Sequence, residues 1–258
     1  MDDTVRAFYD RFADSYHLIF ADWQASIARQ AATLDRLIQD ELGPGPHAIL
    51  DCACGIGTQA IGLARLGHCV HATDLSPAAI ARAEYEATAA DFSLSFGTAD
   101  MRELSEQVPG TFDVVLACDN ALPHLLTADD LRMAASNIAR KLRPDGLFLA
   151  STRDYDYLVQ QRPASEAPRV FDSPNGRRIT FQVWDWALDG ERYRVHQFLL
   201  QQAAQGWQTD HFETEYRALL RGELTAALHT VGLEQIRWHE PDASGYYQPV
   251  VTSRASRS

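Results

Sequence analysis

The stretch Ile49-Leu50-Asp51-Cys52-Ala53-Cys54-Gly55-Ile56-Gly57-Thr58 decides the fold. A short apolar run ends in Asp51, a turn of small residues with two glycines follows, and a helical pattern runs over 59–66. Strand, glycine loop and helix in that order open a ligand site in a doubly wound sheet. Glycine suits such a loop because a Cβ would hold a ligand away from the backbone. Cys69-Val70-His71-Ala72-Thr73 reads as the next strand and delivers Asp74, 19 residues after Gly55, to the tip of a neighbouring strand. A carboxylate there can accept both hydroxyls of a ribose. Ser76 and Pro77 then cap and start a new helix. A bare βαβ crossover would explain the turn alone; loop and acid together favour a nucleotide-type ligand.

Working outward, the alternation continues. Strands are predicted over 48–51, 69–74, 92–98, 112–118 and 147–151, with helices over 59–66, 77–90 and 128–142. Short apolar strands alternating with helices predict a parallel sheet covered on both faces, an α/β class. Ligands in such sheets bind beyond the carboxyl ends of the strands, so Asp51, Asp74, Asp100, Asp119, Asn120 and Arg153 should converge. Upstream, residues 4–42 read as helices. Val5, Phe8, Phe12 and Tyr16 recur at helical spacing, and Ile27, Ala31, Leu34 and Ile38 share one face of a second helix. Gly43-Pro44-Gly45-Pro46 stops it. This N-terminal part is rich in aromatics (Tyr9, Tyr16, His17, Phe20, Trp23), which fits a packed cap or a lid over a small ligand.

Downstream the pattern changes. Alternating runs over 178–188, 192–202 and 206–214 are separated by Asp189-Gly190 and by Gln205-Gly206, and Asp-Gly between such runs signals a hairpin. We read a small antiparallel sheet inserted as a lid. A helix over 223–231 and strands over 233–239 and 247–253 close the chain at the edge of the main sheet. The organisation expected is a helical cap over 1–46, a ligand-binding domain over 47–168 and 215–258, and an inserted lid over 169–214.

Composition narrows the function. With 258 residues and 46% hydrophobic content the chain can bury a full core. Its net charge of −12, with Lys141 as its only lysine, argues against a nucleic-acid partner, whose phosphates need clustered cations. No apolar run is long enough to span a membrane, and the start Met1-Asp2-Asp3-Thr4 lacks the layout of a secretory signal, so a cytoplasmic location is the default expectation. Cys52, Cys54, Cys69 and Cys118 fall in or beside strands without CxxC or Cys/His zinc spacing, and read as buried thiols in a reducing compartment. No metal site is expected.

The loop Asp51–Thr58, with Asp74, Asp100-Met101 and the turn Arg143-Pro144-Asp145-Gly146, resembles the class I S-adenosylmethionine-dependent methyltransferases. The resemblance implies a Rossmann-like, doubly wound, mostly parallel sheet of seven strands with an antiparallel seventh. More narrowly, Tyr9-Asp10-Arg11-Phe12-Ala13-Asp14-Ser15-Tyr16-His17, the Ala-Cys-Gly-x-Gly loop, Asn120-Ala121-Leu122-Pro123-His124-Leu125 and Arg153-Asp154-Tyr155-Asp156 resemble the glycine and glycine/sarcosine/dimethylglycine N-methyltransferases. The aromatic N-terminal helix and the inserted sheet depart from the animal enzyme.

The resemblance assigns the cofactor, S-adenosylmethionine, to Arg29, Asp51, Ala53, Gly55, Gly57, Thr58, Asp74, Leu75, Asp100, Met101, Cys118 and His124. Within that set Asp74 would meet the ribose, Asp100 the adenine amino group, the Met101 backbone a ring nitrogen, and Arg29 the cofactor carboxylate. For the acceptor it implies Tyr9, Tyr16, Trp23, Asn120, Arg153, Tyr155 and Tyr216, with Arg153 holding a substrate carboxylate. Tyr16 and His124 are the catalytic candidates. The expected partner is a small amine-bearing carboxylate of the glycine or sarcosine type. The alternative is an O- or N-methyltransferase of specialised metabolism with a larger acceptor. A dinucleotide-binding oxidoreductase or a non-catalytic domain is disfavoured by the missing third glycine and by Asp100-Met101. The N-terminal segment and the insert could equally form a lid or the interface of a homo-oligomer.

Overall fold

The computed structural model describes residues 3–87, 93–173 and 176–256. The chain opens with α1 (Asp3–Phe12), a 3₁₀ turn (Tyr16–Ile19) and α2 (Trp23–Leu42). The single helical run expected through Tyr16 therefore breaks after Phe12, and residues 13–15 turn the ring of Tyr16 inward. Asp22 caps α2 by accepting the Ala25 N–H at 3.0 Å, and Gly43, at φ 87°, ends it. There follow β1 (Ala48–Asp51), α3 (Thr58–Arg65), β2 (Cys69–Asp74), α4 (Pro77–Ala87), β3 (Leu94–Thr98), the short α5 (Leu104–Gln107), β4 (Phe112–Ala117), α6 (Ala128–Lys141) and β5 (Leu142–Ser151). The expected end of α4 at Ala90 and start of β3 at Phe92 lie outside the described residues. On α6, Thr127 accepts the Asp130 N–H at 3.0 Å. Asp129 and Asp130 lie in its first turn and Arg140 and Lys141 in its last, each opposing the helix dipole.

The second half contains α7 (Tyr155–Gln161), β6 (Arg169–Ser173), β7 (Gly176–Trp186), β8 (Arg192–Ala203) and β9 (Gly206–Arg217). It ends with α8 (Arg221–Thr230), β10 (Leu233–His239), the short α9 (Pro241–Ser244) and β11 (Val250–Ala255). The main sheet has seven strands in the order β10-β11-β5-β4-β1-β2-β3. Its central strands are parallel, while β11 runs antiparallel to both β5 and β10. Both faces are buried, as continuous apolar strands require. Ile49, Val114 and Leu149 pack under α2 and α3 on one face, and Leu50, Val115 and Phe148 pack under α6 and α8 on the other. Each such side chain contributes about 1.5–3 kcal/mol by leaving water.

β6 to β9 form a separate four-stranded antiparallel sheet in sequence order. The Asp189-Gly190 turn sits between β7 and β8 as its spacing predicts, whereas β6 carries no alternation that singles it out. On its inner face Leu199 and Phe212 pack against Phe8 and Phe12 of α1, with the rings of Phe12 and Phe212 4.7 Å apart. The aromatic N-terminal helix and the second sheet thus share one core beside the strand ends. β11 starts three residues later than expected, which leaves Tyr247 in the loop before it.

Candidate active site

Strand order reverses between β1 and β4, and two cavities meet beyond the carboxyl ends of those strands. The narrow cavity follows the glycine loop (Ala53 to Gly55), Thr58 and Gln59 of α3, Asp74 and Leu75 after β2, Ala99 and Met101 after β3, and Cys118, Asp119 and His124 after β4. The wide cavity, about 730 Å³, lies between α1, the strand ends and the inner face of the second sheet. Tyr9, Tyr16 and Asp119 line both.

The loop brings backbone close to this space. Gly55 has φ 52°, and a Cβ there would sit 3.4 Å from the Tyr16 ring. Gly57 serves packing: at φ 89° it begins α3, and a Cβ would meet Ile61 at 2.9 Å and Ala83 at 3.2 Å. Asp74 is fixed by the Gly55 N–H at 2.8 Å on one oxygen and the Ser76 N–H at 2.9 Å on the other. Burial raises the pKa of Asp74 and Asp119, and it pushes Asp51 to about 8, with the charges of Asp74 and Asp119 adding to the shift. One oxygen of Asp51 is buried without a hydrogen-bond partner. Carboxylates so placed suit a ligand that brings positive charge and hydroxyl donors. An aminoacyl sulfonium joined to a nucleoside brings both, and Ala99 and Met101 offer its base an apolar slot.

Four expected cofactor residues stand elsewhere. Asp100 does not line the cavity: its carboxylate is taken by Arg102, whose Nη2 lies 2.8 Å away, and Arg102 continues to Asp130 at 2.5 Å. Arg29 donates to Ser26 Oγ at 3.2 Å and lines the wide cavity instead. Gly57 and Asp51 do not line the narrow cavity and stand behind its loop. On the acceptor side Trp23 is a prop, its indole N–H bonded to Thr58 Oγ1 at 2.9 Å. Tyr155 is fully buried, and its hydroxyl lies 3.0 Å from Asn120 Oδ1 and 2.8 Å from the Tyr193 hydroxyl. Tyr9, Tyr16, Asn120, Arg153 and Tyr216 do come together on the wide cavity.

Asp119 and Asn120 have φ 56° and 66°, a left-handed conformation that costs a non-glycine residue about 1 kcal/mol each. Ser151 holds the turn: its Oγ accepts the Asp119 N–H at 2.8 Å and its carbonyl the Asn120 N–H at 3.1 Å. Strain of this kind clusters at functional sites, and here it falls at the switch point. Beside it Arg153 donates to the Tyr193 hydroxyl and to Gln182 Oε1, both at 2.8 Å. Its guanidinium lies 4.7 Å from the centre of the Trp184 ring. Among the described residues its only carboxylate partner is Glu166, at 3.7 Å. A half-buried cation with so distant a counter-charge, lining a cavity, suits an anionic ligand group.

His124 Nε2 is 2.9 Å from the Tyr9 hydroxyl, and its ring lies 4.2 Å from that of Tyr216. Burial pushes its pKa down to about 3, with the charge of Arg153 adding to the effect, so the imidazole is neutral. Burial likewise raises the pKa of Tyr9 and Tyr16 well above the usual phenol value. In this geometry Tyr16 and His124 are poor proton acceptors.

Several residues in and behind the cavity walls carry no clear signal in the sequence. The Tyr246 hydroxyl lies 2.7 Å from both Gln30 Oε1 and Asp119 Oδ1, the Tyr247 hydroxyl 2.6 Å from Asp119 Oδ1, and Gln59 Nε2 2.8 Å from Gln30 Oε1. Ser26 and Gln30 did carry a signal, as polar residues four apart on an apolar helix face. Glu166 and Gln182 carried none, because only the second sheet brings them here.

The model of the family described as "Methyltransferase domain" matches residues 49–146. A glycine/sarcosine N-methyltransferase of Parasynechococcus marenigrum (strain WH8102) is 30% identical over 159 residues, which cover 62% of this chain and 55% of that protein. The chain thus aligns with about half the length of this curated relative. Among solved structures, the CcbJ methyltransferase of Streptomyces caelestis superposes with a TM-score of 0.78 at 19% identity, covering 99% of this chain and 100% of that one. The sugar N-methyltransferase KedS8 of Streptoalloteichus sp ATCC 53650 does so with 0.72 at 20% identity, covering 89% and 88%. These two likenesses concern the fold. No helix among the described residues is long and apolar enough to cross a membrane. With a methyltransferase domain matched over 49–146, its sheet order and a cavity suited to S-adenosylmethionine, the chain resembles the class I S-adenosylmethionine-dependent methyltransferases, and the glycine N-methyltransferases among them.

Proposed function

We propose that the chain transfers a methyl group from S-adenosylmethionine to the amine of a small acceptor that carries a carboxylate. The observation that carries this reading is the meeting of the two cavities at Tyr9, Tyr16 and Asp119, with Arg153 lining the wide one. S-adenosylmethionine, when bound, supplies an electrophilic methyl group on a sulfonium. The chain supplies position, dryness and charge. Arg153 anchors the acceptor carboxylate, and its planar fork fixes orientation as well as distance. Tyr9 and Tyr16 close the junction, and their ring faces attract a cationic centre by roughly 0.5–2 kcal/mol. Asp119 borders both cavities and favours positive charge on either side of the transfer.

The volume of the wide cavity favours a second reading of the acceptor. About 730 Å³ is drug-sized space, well beyond what glycine fills. A larger amine with a carboxylate end would use Arg153 in the same way and the aromatic wall besides. The test is methyl transfer from labelled S-adenosylmethionine to glycine, sarcosine, dimethylglycine, bulkier amino acids, and amines of matched size without a carboxylate. Label is expected on carboxylate-bearing amines. Label confined to amines without a carboxylate would sink the proposal.

A pH dependence follows from Asp51. With a pKa of about 8 it is protonated at pH 6 and partly ionised at pH 7.5, and a cationic ligand binds better to the ionised form. Affinity for S-adenosylmethionine is expected to rise about tenfold over that interval, with release of a proton, and Asp51→Asn is expected to flatten the rise. Titration calorimetry in two buffers of different ionisation enthalpy reads both; the same wild-type affinity at both pH values would contradict it.

A further inference from the structure

The sequence carries no metal motif, yet the fold brings two histidines and a glutamate together on the outer face of the second sheet. His196 of β8 pairs in register with Glu213 of β9, and His211 lies two residues away on the same face of β9. Tyr193 and Val195 of β8, with Tyr216 of β9, are buried on the opposite face, so this cluster is separate from the two cavities. His196 Nδ1 lies 2.9 Å from His211 Nε2 and 3.6 Å from Glu213 Oε2, and the three ligand atoms all fall within 4.8 Å of one another. Around a tetrahedral ion with metal–ligand bonds of about 2.0–2.1 Å, donor atoms stand about 3.3 Å apart, so small side-chain shifts complete the set. Asp185 Oδ2 lies 3.0 Å from His196 Nε2. A carboxylate there keeps the proton on Nε2 and leaves the Nδ1 lone pair facing the other two donors, the outer support that metal-bound imidazoles usually have.

We propose that His196, His211 and Glu213 form a site for a divalent transition metal of the zinc class, oriented by Asp185. Two imidazoles and a carboxylate are borderline donors suited to such an ion, and they leave a fourth position to solvent. The ion would tie β8 to β9 across the exposed face.

Zn²⁺ is titrated calorimetrically into the untagged, chelator-treated chain. One ion per chain is expected, with affinity falling at least tenfold in His211→Ala and in His196→Ala, and by about 10- to 100-fold in Asp185→Asn. His211 is exposed, so its variant keeps the fold if the substitution at His196 does not. Co²⁺ gives a second readout: visible d–d bands of a four-coordinate ion in the wild type, lost in His211→Ala. Wild-type affinity equal to that of the His196→Ala/His211→Ala double variant would overturn the proposal, leaving a surface hydrogen bond between two histidines.

Discussion

Arg153→Ala is expected to lower kcat/KM for a carboxylate-bearing amine by about 30- to 1,000-fold and to leave the affinity for S-adenosylmethionine unchanged. The magnitude is that of cutting one partner of a hydrogen-bonded charge pair that the proposed acceptor would complete and bury, about 2–4 kcal/mol. The loss should appear mainly in KM, because in the proposed role the guanidinium holds a part of the acceptor that does not react. Arg153→Lys keeps the charge and loses the fork, so it should recover part of the activity. Arg153 also braces Tyr193 and Gln182, which makes the melting temperature a needed control. Amines without a carboxylate should respond little to either variant. Equal loss for both classes of acceptor would mean that Arg153 is a brace and not a clamp.

Asp74→Ala is expected to weaken S-adenosylmethionine binding by about 30- to 150-fold with little change in KM for the acceptor. A carboxylate that accepts ribose hydroxyls makes charge-assisted hydrogen bonds, and losing them costs about 2–3 kcal/mol. The same side chain ties the Gly55 and Ser76 N–H groups, so the variant also loosens the glycine loop. Asp74→Asn retains an acceptor and should fall between wild type and Ala. Calorimetric titration with S-adenosylhomocysteine reads the effect without turnover. A change below threefold in Asp74→Ala would remove this residue from the cofactor site.

The main sheet was legible because its signals are local. Asp51 to Thr58 holds strand end, turn and helix start in ten residues, and Cys69–Asp74 reads as a strand because its apolar residues end at a polar tip. The second sheet was legible as alternation, and its Asp189-Gly190 turn as chemistry, but β6 is short and mostly exposed and gave no pattern. The placement of the candidate site was legible in part. Gly55, Asp74 and Arg153 stand at element ends that the topology brings together. Asp100 stands at such an end too, yet Arg102, two residues on, takes its carboxylate, a side-chain choice that spacing cannot fix. The network of Gln30, Gln59, Tyr246 and Asp119 joins residues up to 216 positions apart, and only tertiary packing reveals it. The His196–His211–Glu213 cluster depends on strand register, which follows from the turns and not from any metal motif.

In the proposed function the narrow cavity holds the methyl donor and the methyl group passes to the wide one between Tyr9 and Tyr16. A crystal structure of the chain with S-adenosylhomocysteine tests this most directly. The ribose is expected at Asp74, the adenine beside Ala99 and Met101, and the sulfur at the Tyr9–Tyr16 junction facing Arg153 across the wide cavity. A product bound in the wide cavity, or a sulfur turned away from that junction, would contradict it.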